Sequence, residues 1–289
     1  MAFTSKDVME LRQRTGVGMM DCKKALVATD GDMEAAIDFL REKGMATAAK
    51  KEARIAAEGI VYAASKNGKS VLVEVNCESD FVAGGPVFKE YVAHVADYIL
   101  DNANATVEEV VAAMQPVTNE YVMKMGEKLS IRRFTVYEEN DTTVDTYIHM
   151  GGKIGVMVEA SSGASAEVVH DVALQIAAAN AQYVSSDQVP EDEVNHEKEI
   201  LKAQALNEPN PKPEAIIEKM LVGRINKFFK DICLLEQVFV KNGDLTISQY
   251  LKQNGDVKII RFTRYAMGEG LQKRQDDFVN EVMTQAGLK

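Results

Sequence analysis

The sequence predicts an α+β fold, and three observations support this prediction. Short amphipathic segments separated by glycines fill the first 45 residues and predict a small three-helix module. Two strand–turn–strand patterns, centred on Asn67-Gly68 and Gly151-Gly152, each precede a helix and predict two related α+β subdomains with antiparallel sheets. Two helical segments separated by prolines, between residues 191 and 229, predict an inserted helical hairpin.

Capping residues and glycines set the predicted boundaries of the amino-terminal module. Thr4 is expected to cap the first helix, and the second is predicted over residues 19–28. Asp32 is expected to cap a third helix that ends at Gly44. Residues 45–57, which are rich in Ala, Lys and Glu, are then predicted to form an exposed connecting helix.

The two subdomains are predicted from their strand and helix patterns. The first is expected to contain strands over 59–66, 69–76 and 131–138. It is also expected to contain three helices: one over 86–102, one that begins at a capping box at Thr106, and one near 117–129. The second is expected to contain strands over 143–150, 153–160 and 257–266, with helices over 165–180 and 247–253.

The helical hairpin and the carboxyl-terminal segment complete the predicted architecture. The hairpin is predicted as helices over 191–206 and 214–229, with a turn forced by Pro209, Pro211 and Pro213. A last amphipathic helix is predicted to bury Phe278 and Val282 on one side. The predicted divisions are 1–54 for the amino-terminal module and connector, 55–140 and 141–267 for the two subdomains, about 185–230 for the hairpin, and 268–289 for a terminal helical module.

Composition and charge narrow the range of functions. The chain has 289 residues, of which 46% are hydrophobic and 27% charged, with a formal net charge of −11. This charge argues against non-specific binding of nucleic acid, which normally needs a basic face. No apolar run reaches the roughly 18 residues needed to span a bilayer, and the first residues do not form a secretory signal. With three scattered cysteines, these features predict a cytoplasmic protein with reduced thiols and no membrane or nucleic-acid partner.

No motif in the sequence supports enzymatic chemistry. A phosphate-binding loop is missing, and Gly16-Val17-Gly18 has Asp21 where a dinucleotide fingerprint needs its third glycine. The four histidines show no metal-ligand spacing; they are His94, His149, His170 and His196. We therefore expect no enzyme, no cofactor and no metal.

The stretch NCESDFVAGGP, residues 76–86, places an acid beside a large apolar ring at the end of a predicted strand. One interpretation makes Phe81 a core residue and Asp80 a helix cap, and another makes the pair part of a functional site. Cys77 is interpreted as a buried structural thiol, although a nucleophile would be conceivable if a base lay nearby in space.

Two motifs together resemble the elongation factor Ts family of bacteria. LRQRTGVGMMDCKKAL, residues 11–26, is similar to its amino-terminal signature, and EVNCESDFVA, residues 74–83, is similar to its second signature. The order of parts also matches over essentially the whole chain. Ser79 stands where the family usually has threonine, and Gly84-Gly85 replaces a more polar sequence.

The resemblance implies that the chain promotes GDP release from elongation factor Tu by forming a nucleotide-free complex, without binding nucleotide itself. Ser79, Asp80, Phe81 and Val82 would then dislocate Mg²⁺ in the partner. It also implies an amino-terminal module that resembles ubiquitin-associated domains and a hairpin of the coiled-coil type.

The same resemblance suggests further partner-binding residues. Met19 and Met20, of which one is expected to be exposed, and His149 at the second hairpin are the candidates, although His149 could equally be an ordinary exposed turn residue. Asp80 could act on the metal or hold the loop in shape. Homodimerisation is left open. The competing hypotheses are a binding adaptor built on the amino-terminal module and a hydrolase built on Cys77.

Overall fold

The computed structural model describes residues 3–208 and 212–272. It confirms a mixed architecture of helices and small sheets. The helices are α1 (Ser5–Thr15), α2 (Met19–Ala28), α3 (Met33–Lys51), α4 (Asp80–Gly84), α5 (Pro86–Asp101), α6 (Val107–Met125), α7 (Ala166–Ala179), α8 (Glu191–Leu206), α9 (Glu214–Ile232) and α10 (Ile247–Gln253). The strands are β1 (Glu58–Lys66), β2 (Lys69–Cys77), β3 (Ser130–Glu138), β4 (Thr143–His149), β5 (Ile154–Ala160), β6 (Val238–Phe239), β7 (Asn242–Thr246) and β8 (Ile259–Ala266).

The chain divides into two compact units. Of the described residues, the first contains 3–64, 73–134 and 266–272, and the second contains 65–72, 135–208 and 212–265. One three-stranded sheet has the order β1-β2-β3, and another has the order β4-β5-β8. In both sheets a hairpin is followed by helices, and a later strand then pairs with the second strand of the hairpin.

The three amino-terminal helices form a small bundle with its own apolar core. Thr4 caps α1 in a capping box with Asp7, as predicted, and Gly16 ends this helix at a φ of 69°. The buried residues of this core include Val8, Leu11, Cys22, Ala25, Leu26, Ala36 and Leu40.

The predicted end of the third helix at Gly44 is wrong, because α3 continues to Lys51. Gly44 lies where α6 approaches α3 closely: a Cβ atom there would be 3.1 Å from Met123 Cγ and 3.2 Å from the Asn119 carbonyl oxygen. A glycine inside a helix costs only about 1 kcal/mol relative to alanine. Helix packing against this position outweighs that cost, so the glycine marks a close contact between helices rather than a helix end.

The prediction of two separate helices, one from Thr106 and one near 117–129, is also wrong. Thr106 does cap a helix in a capping box with Glu109, but α6 runs through Pro116 to Met125. The buried side chains of α6 lie on both sides of the proline; they are Val110, Met114, Asn119, Tyr121 and Val122. Their common packing surface outweighs the loss of one backbone hydrogen bond at the proline.

The second unit is built around its sheet and α7. The β4–β5 pair is antiparallel, with Thr143 opposite Ala160 and His149 opposite Ile154. Ser165 caps α7, and the helix ends at Asn180 in a left-handed conformation with a φ of 53°. The predicted helix over 247–253 is confirmed. The strands β6 and β7 were not predicted, because β6 has only two residues and the sequence of β7, NGDLT, does not alternate apolar and polar residues.

Helices α8 and α9 occupy the predicted positions of the helical hairpin and pack against each other. Pro213 lies immediately before α9 as its amino-terminal cap. The predicted turn at Pro209 and Pro211 and the predicted carboxyl-terminal helix with Phe278 and Val282 lie outside the described residues.

Candidate functional site

The connection between β2 and α4 carries the residues that the sequence singled out. Strand β2 ends at Cys77 and α4 begins at Asp80. Ser79 is the amino-terminal cap of α4, since its side chain accepts a hydrogen bond from the backbone N–H of Val82. The helix has five residues and was not predicted, because a single turn has no detectable periodicity. The interpretation of Asp80 as the cap is therefore wrong by one residue.

Glu127, in the loop between α6 and β3, accepts three hydrogen bonds from this connection. Its Oε2 accepts from the backbone N–H groups of Glu78 and Ser79, each at 3.0 Å. Its Oε1 accepts from the Ser79 hydroxyl at 2.6 Å. Backbone and side chain of the same turn are thus held by one carboxylate.

Glu78 makes the reciprocal contacts. Its Oε1 accepts from the backbone N–H of Lys128 at 2.7 Å, and Arg54 Nη1 lies 3.2 and 3.3 Å from its two oxygens. The side chain of Glu78 is 19% exposed. Two backbone N–H groups of the first loop donate to Glu127, and one of the second loop donates to Glu78, so the two loops fix each other's conformation.

The Phe81 side chain points away from this fixed backbone, and the residue is 88% exposed. The interpretation of Phe81 as a core residue is therefore wrong. Asp80 is also exposed, whereas Val82 is half-buried and Ala83 is buried. Among the described residues, no hydrogen bond or ion pair to the Asp80 carboxylate is found. The turn thus presents an apolar ring and an unpaired charge to solvent.

Cys77 lies beneath the same turn and does not resemble a catalytic nucleophile. The residue is fully buried, and its thiol donates a hydrogen bond to the Ser79 carbonyl oxygen at 3.2 Å. The interpretation as a buried thiol is confirmed. Cys22 and Cys233 are buried as well, and burial raises the pKa of both thiols, that of Cys233 to about 12.

Met19 and Met20 begin helix α2 in the amino-terminal bundle. Met19 is 46% exposed and Met20 is 64% exposed. The expectation that only one of them would be exposed is wrong. The inward face of α2 is formed by Cys22, Ala25 and Leu26, so neither methionine is needed for the core of the bundle.

His149 ends β4 in the second unit. Its Nδ1 lies 2.9 Å from the Tyr147 hydroxyl, which restrains the ring. The turn that follows runs through four residues to β5 instead of the predicted two, and both Gly152 and Lys153 donate backbone N–H groups to the His149 carbonyl. Met150 in this turn is 72% exposed.

The structure brings together Ser79, Asp80, Phe81 and Val82 in one turn of the first unit. Met19 and Met20 lie on α2 of the same unit, whereas His149 belongs to the second unit. Glu127 was missed because its partners are 48 and 49 residues away along the chain. Its only sequence signal was a carboxylate directly after Gly126, the residue that ends α6.

The described residues offer no sign of a metal centre or a membrane-spanning segment. Within residues 3–208 and 212–272, no group of three or more His, Cys, Asp or Glu side chains is arranged to hold a metal ion. No helix in that part of the chain is long and apolar enough to cross a bilayer.

The sequence that forms this turn lies within a match to a known protein family. The model of the family described as "Elongation factor TS" matches residues 78–269, which is more than half of the chain. The matched region includes the whole α4 turn, Glu127 and His149, and begins after the amino-terminal bundle that carries Met19 and Met20. The chain belongs to the elongation factor Ts family.

Proposed function

We propose that this chain promotes GDP release from elongation factor Tu by stabilising the nucleotide-free GTPase, with Phe81 and Asp80 entering the region of the bound Mg²⁺. Membership of the family implies a translation elongation factor with a role in nucleotide exchange, and the family acts with elongation factor Tu. The observation that carries the finer proposal is the 88% exposure of Phe81 on a backbone held by hydrogen bonds.

Exchange requires coupling between two binding events. GDP and Mg²⁺ are held in a GTPase by charge-assisted contacts. A factor that stabilises a state with those contacts broken lowers the affinity for nucleotide, and nucleotide must lower the affinity for the factor by the same ratio. The chain needs no chemistry of its own for this, only a surface that fits the nucleotide-free state.

The magnitude shows that Phe81 cannot act alone. Accelerating release by roughly 10³ to 10⁵ needs about 4 to 7 kcal/mol, at about 1.4 kcal/mol per decade. Burying one phenyl ring in a partner contributes about 1.5 to 3 kcal/mol. Further contacts must supply the remainder, and we propose that Met19, Met20 and His149 belong to them. The two exposed thioethers suit a docking surface because they are flexible and polarisable.

The surroundings of Asp80 support a role at the metal over a role in loop shape. Ser79 caps α4 and Glu127 holds the preceding backbone, so the conformation of the turn is supported without the Asp80 carboxylate. An exposed charge next to the inserting ring would perturb the electrostatic field around Mg²⁺. We therefore assign Ser79 and Val82 to holding the turn, Phe81 to insertion, and Asp80 to the metal region.

The remaining features of the predicted organisation are proposals of the same kind. They are a ubiquitin-associated-like amino-terminal module, a coiled-coil hairpin formed by α8 and α9, the division at residues 54, 140 and 267, and a cytoplasmic location. The adaptor hypothesis used the amino-terminal module alone, whereas the family match covers residues 78–269 and favours exchange.

Gel filtration combined with a GDP-release assay tests the proposal. The chain should form a complex with nucleotide-free elongation factor Tu, and excess GDP with Mg²⁺ should dissociate it, because the coupling is reciprocal. A Cys77→Ser variant should accelerate GDP release from elongation factor Tu as much as the parent protein does. A complex of equal stability with and without GDP would contradict the mechanism.

A further inference from the structure

We propose that Glu127 is a positioning residue for Phe81, acting through the Ser79 hydroxyl. The proposal rests on the exchange function proposed above. It assigns a role to a residue that lies outside the Ser79–Val82 turn and that does not itself need to touch the partner.

The contacts form a continuous path from Glu127 to the helix that carries the ring. The single hydroxyl proton of Ser79 is directed to Glu127 Oε1 at 2.6 Å. With that proton engaged, a lone pair of the same oxygen accepts from the Val82 N–H at 3.3 Å. One hydroxyl therefore joins the loop after α6 to the first turn of α4, and Phe81 lies within that turn.

A carboxylate is the group that this position requires. Three donors converge on Glu127, namely two backbone N–H groups and one hydroxyl. An ionised carboxylate is purely an acceptor and has about four lone-pair sites, so it satisfies all three. A glutamine side chain has the same shape but only one oxygen. Its NH₂ group would replace the other oxygen and would face either the two backbone N–H donors or the Ser79 hydroxyl.

The base of the Glu127 loop is itself fixed. Gly126 ends α6 with a φ of 74°, and its N–H donates to the Val122 carbonyl. Lys51 Nζ donates to the Gly126 carbonyl at 2.6 Å. The N–H of Lys128 is held by Glu78. Glu127 thus extends from a firm support.

Helix α4 needs this support because it is too short to hold its own conformation. A single helical turn fixes several backbone dihedral angles for very few hydrogen bonds and is unstable in isolation. Without the Glu127 contacts, the Phe81 ring would sample many directions. Docking through the other contacts would still occur, but the ring would insert from only a fraction of the docked complexes, which lowers the maximal rate of exchange to that fraction.

Hydrogen exchange on the isolated protein tests the first half of the proposal. Glu127→Ala should speed amide exchange of the segment 78–82 by about tenfold or more. The substitution removes the carboxylate that accepts from the N–H groups of Glu78 and Ser79, and it weakens the cap at Val82. Glu108→Ala, which removes an exposed carboxylate from the first turn of the same α6, should leave that segment unchanged.

GDP release from elongation factor Tu tests the second half. Glu127→Ala should lower the maximal catalysed rate by about tenfold while the half-saturating concentration stays within about twofold, because the docking surfaces are untouched. Glu127→Gln keeps one acceptor oxygen, so its maximal rate should lie between those of the parent protein and Glu127→Ala. In a Phe81→Ala background, Glu127→Ala should cause no further loss, since its effect is exerted through the ring.

Several results would overturn the proposal. These are unchanged hydrogen exchange of residues 78–82, faster hydrogen exchange with a normal maximal rate, or losses that multiply in the double variant. If Glu127→Ala fails to fold, Ser79→Ala breaks the same path from its other end and is judged by the same criteria. If even the parent protein fails to accelerate GDP release from elongation factor Tu, the proposed function is rejected, and hydrogen exchange alone decides whether Glu127 fixes the turn.

Discussion

Replacement of Phe81 by alanine should slow GDP release while leaving the protein folded. The residue is 88% exposed, so its ring adds little to the stability of this chain. If the ring is buried in the partner only as nucleotide leaves, its loss removes about 1.5 to 3 kcal/mol of apolar contact from that state. At about 1.4 kcal/mol per decade, the catalysed rate should fall by about tenfold to a hundredfold.

The assay compares the maximal rate of release of labelled GDP with the thermal stability of the variant alone. Val222→Ala provides a matched control, because Val222 on α9 is also a strongly exposed apolar residue, at 64%. The control should have the melting temperature and the exchange rate of the parent protein. Phe81→Ala should have the same melting temperature as the control, and only the rate of GDP release that it catalyses should differ.

A core residue would behave in the opposite way. Truncation of a buried phenylalanine costs about 3 to 5 kcal/mol of folding free energy. A large fall in the melting temperature of Phe81→Ala, with normal exchange by the folded fraction, would therefore refute insertion of the ring. An unchanged rate in a stable variant would refute it equally.

Three further predictions address charge, stability and docking. Asp80→Asn should slow exchange in the presence of Mg²⁺ and have a smaller effect without it; an equal defect in both conditions would assign Asp80 to the shape of the loop. Burial by itself raises the pKa of Glu74, but hydrogen bonds from the Gly268 N–H and two arginines outweigh it and leave this pKa lowered. The ionised group thus adds stability above its unfolded pKa of about 4.3, and this is lost as the pH falls through the folded value. Glu74→Gln should cost about 1.5 to 3 kcal/mol at pH 7, the range for a lost hydrogen bond to a charged group, and flatten the acid limb of the stability profile measured by urea unfolding; a parallel profile would refute the assignment. Joint replacement of Met19 and Met20 by alanine should raise the half-saturating concentration in the release assay several-fold at an unchanged melting temperature, and unchanged half-saturation would remove this surface from the interface.

Local signals in the sequence predicted the parts of the fold that depend on local chemistry. Asn67 and Gly68 both have positive φ, 53° and 73°, as the predicted two-residue hairpin requires. Thr4 and Thr106 cap helices where their capping boxes indicated. These features involve residues three or fewer positions apart, so the sequence alone contains the whole interaction.

Errors arose where a distant segment determined the outcome. Gly44 and Pro116 are residue types that are common at helix ends, but both lie inside helices that pack against each other. Intrinsic preference is a weak effect, and tertiary packing outweighs it. Glu127 shows the same limitation at the site, because its hydrogen-bonding partners come from a different part of the chain and no local pattern identifies them.

The way in which carboxylates are used around α4 is itself an argument for function. Glu127 accepts three hydrogen bonds from the turn before α4, and Glu78 accepts hydrogen bonds from the Lys128 N–H and from Arg54, so both carboxylates hold the backbone. Asp80, two positions after Glu78, is left exposed beside Phe81. A ring that served only the fold would be buried, since burial of apolar surface lowers the free energy of the folded state. A rigid backbone that instead presents an apolar ring and an anion to solvent is suited to a partner in which the ring is buried and the anion meets a cation.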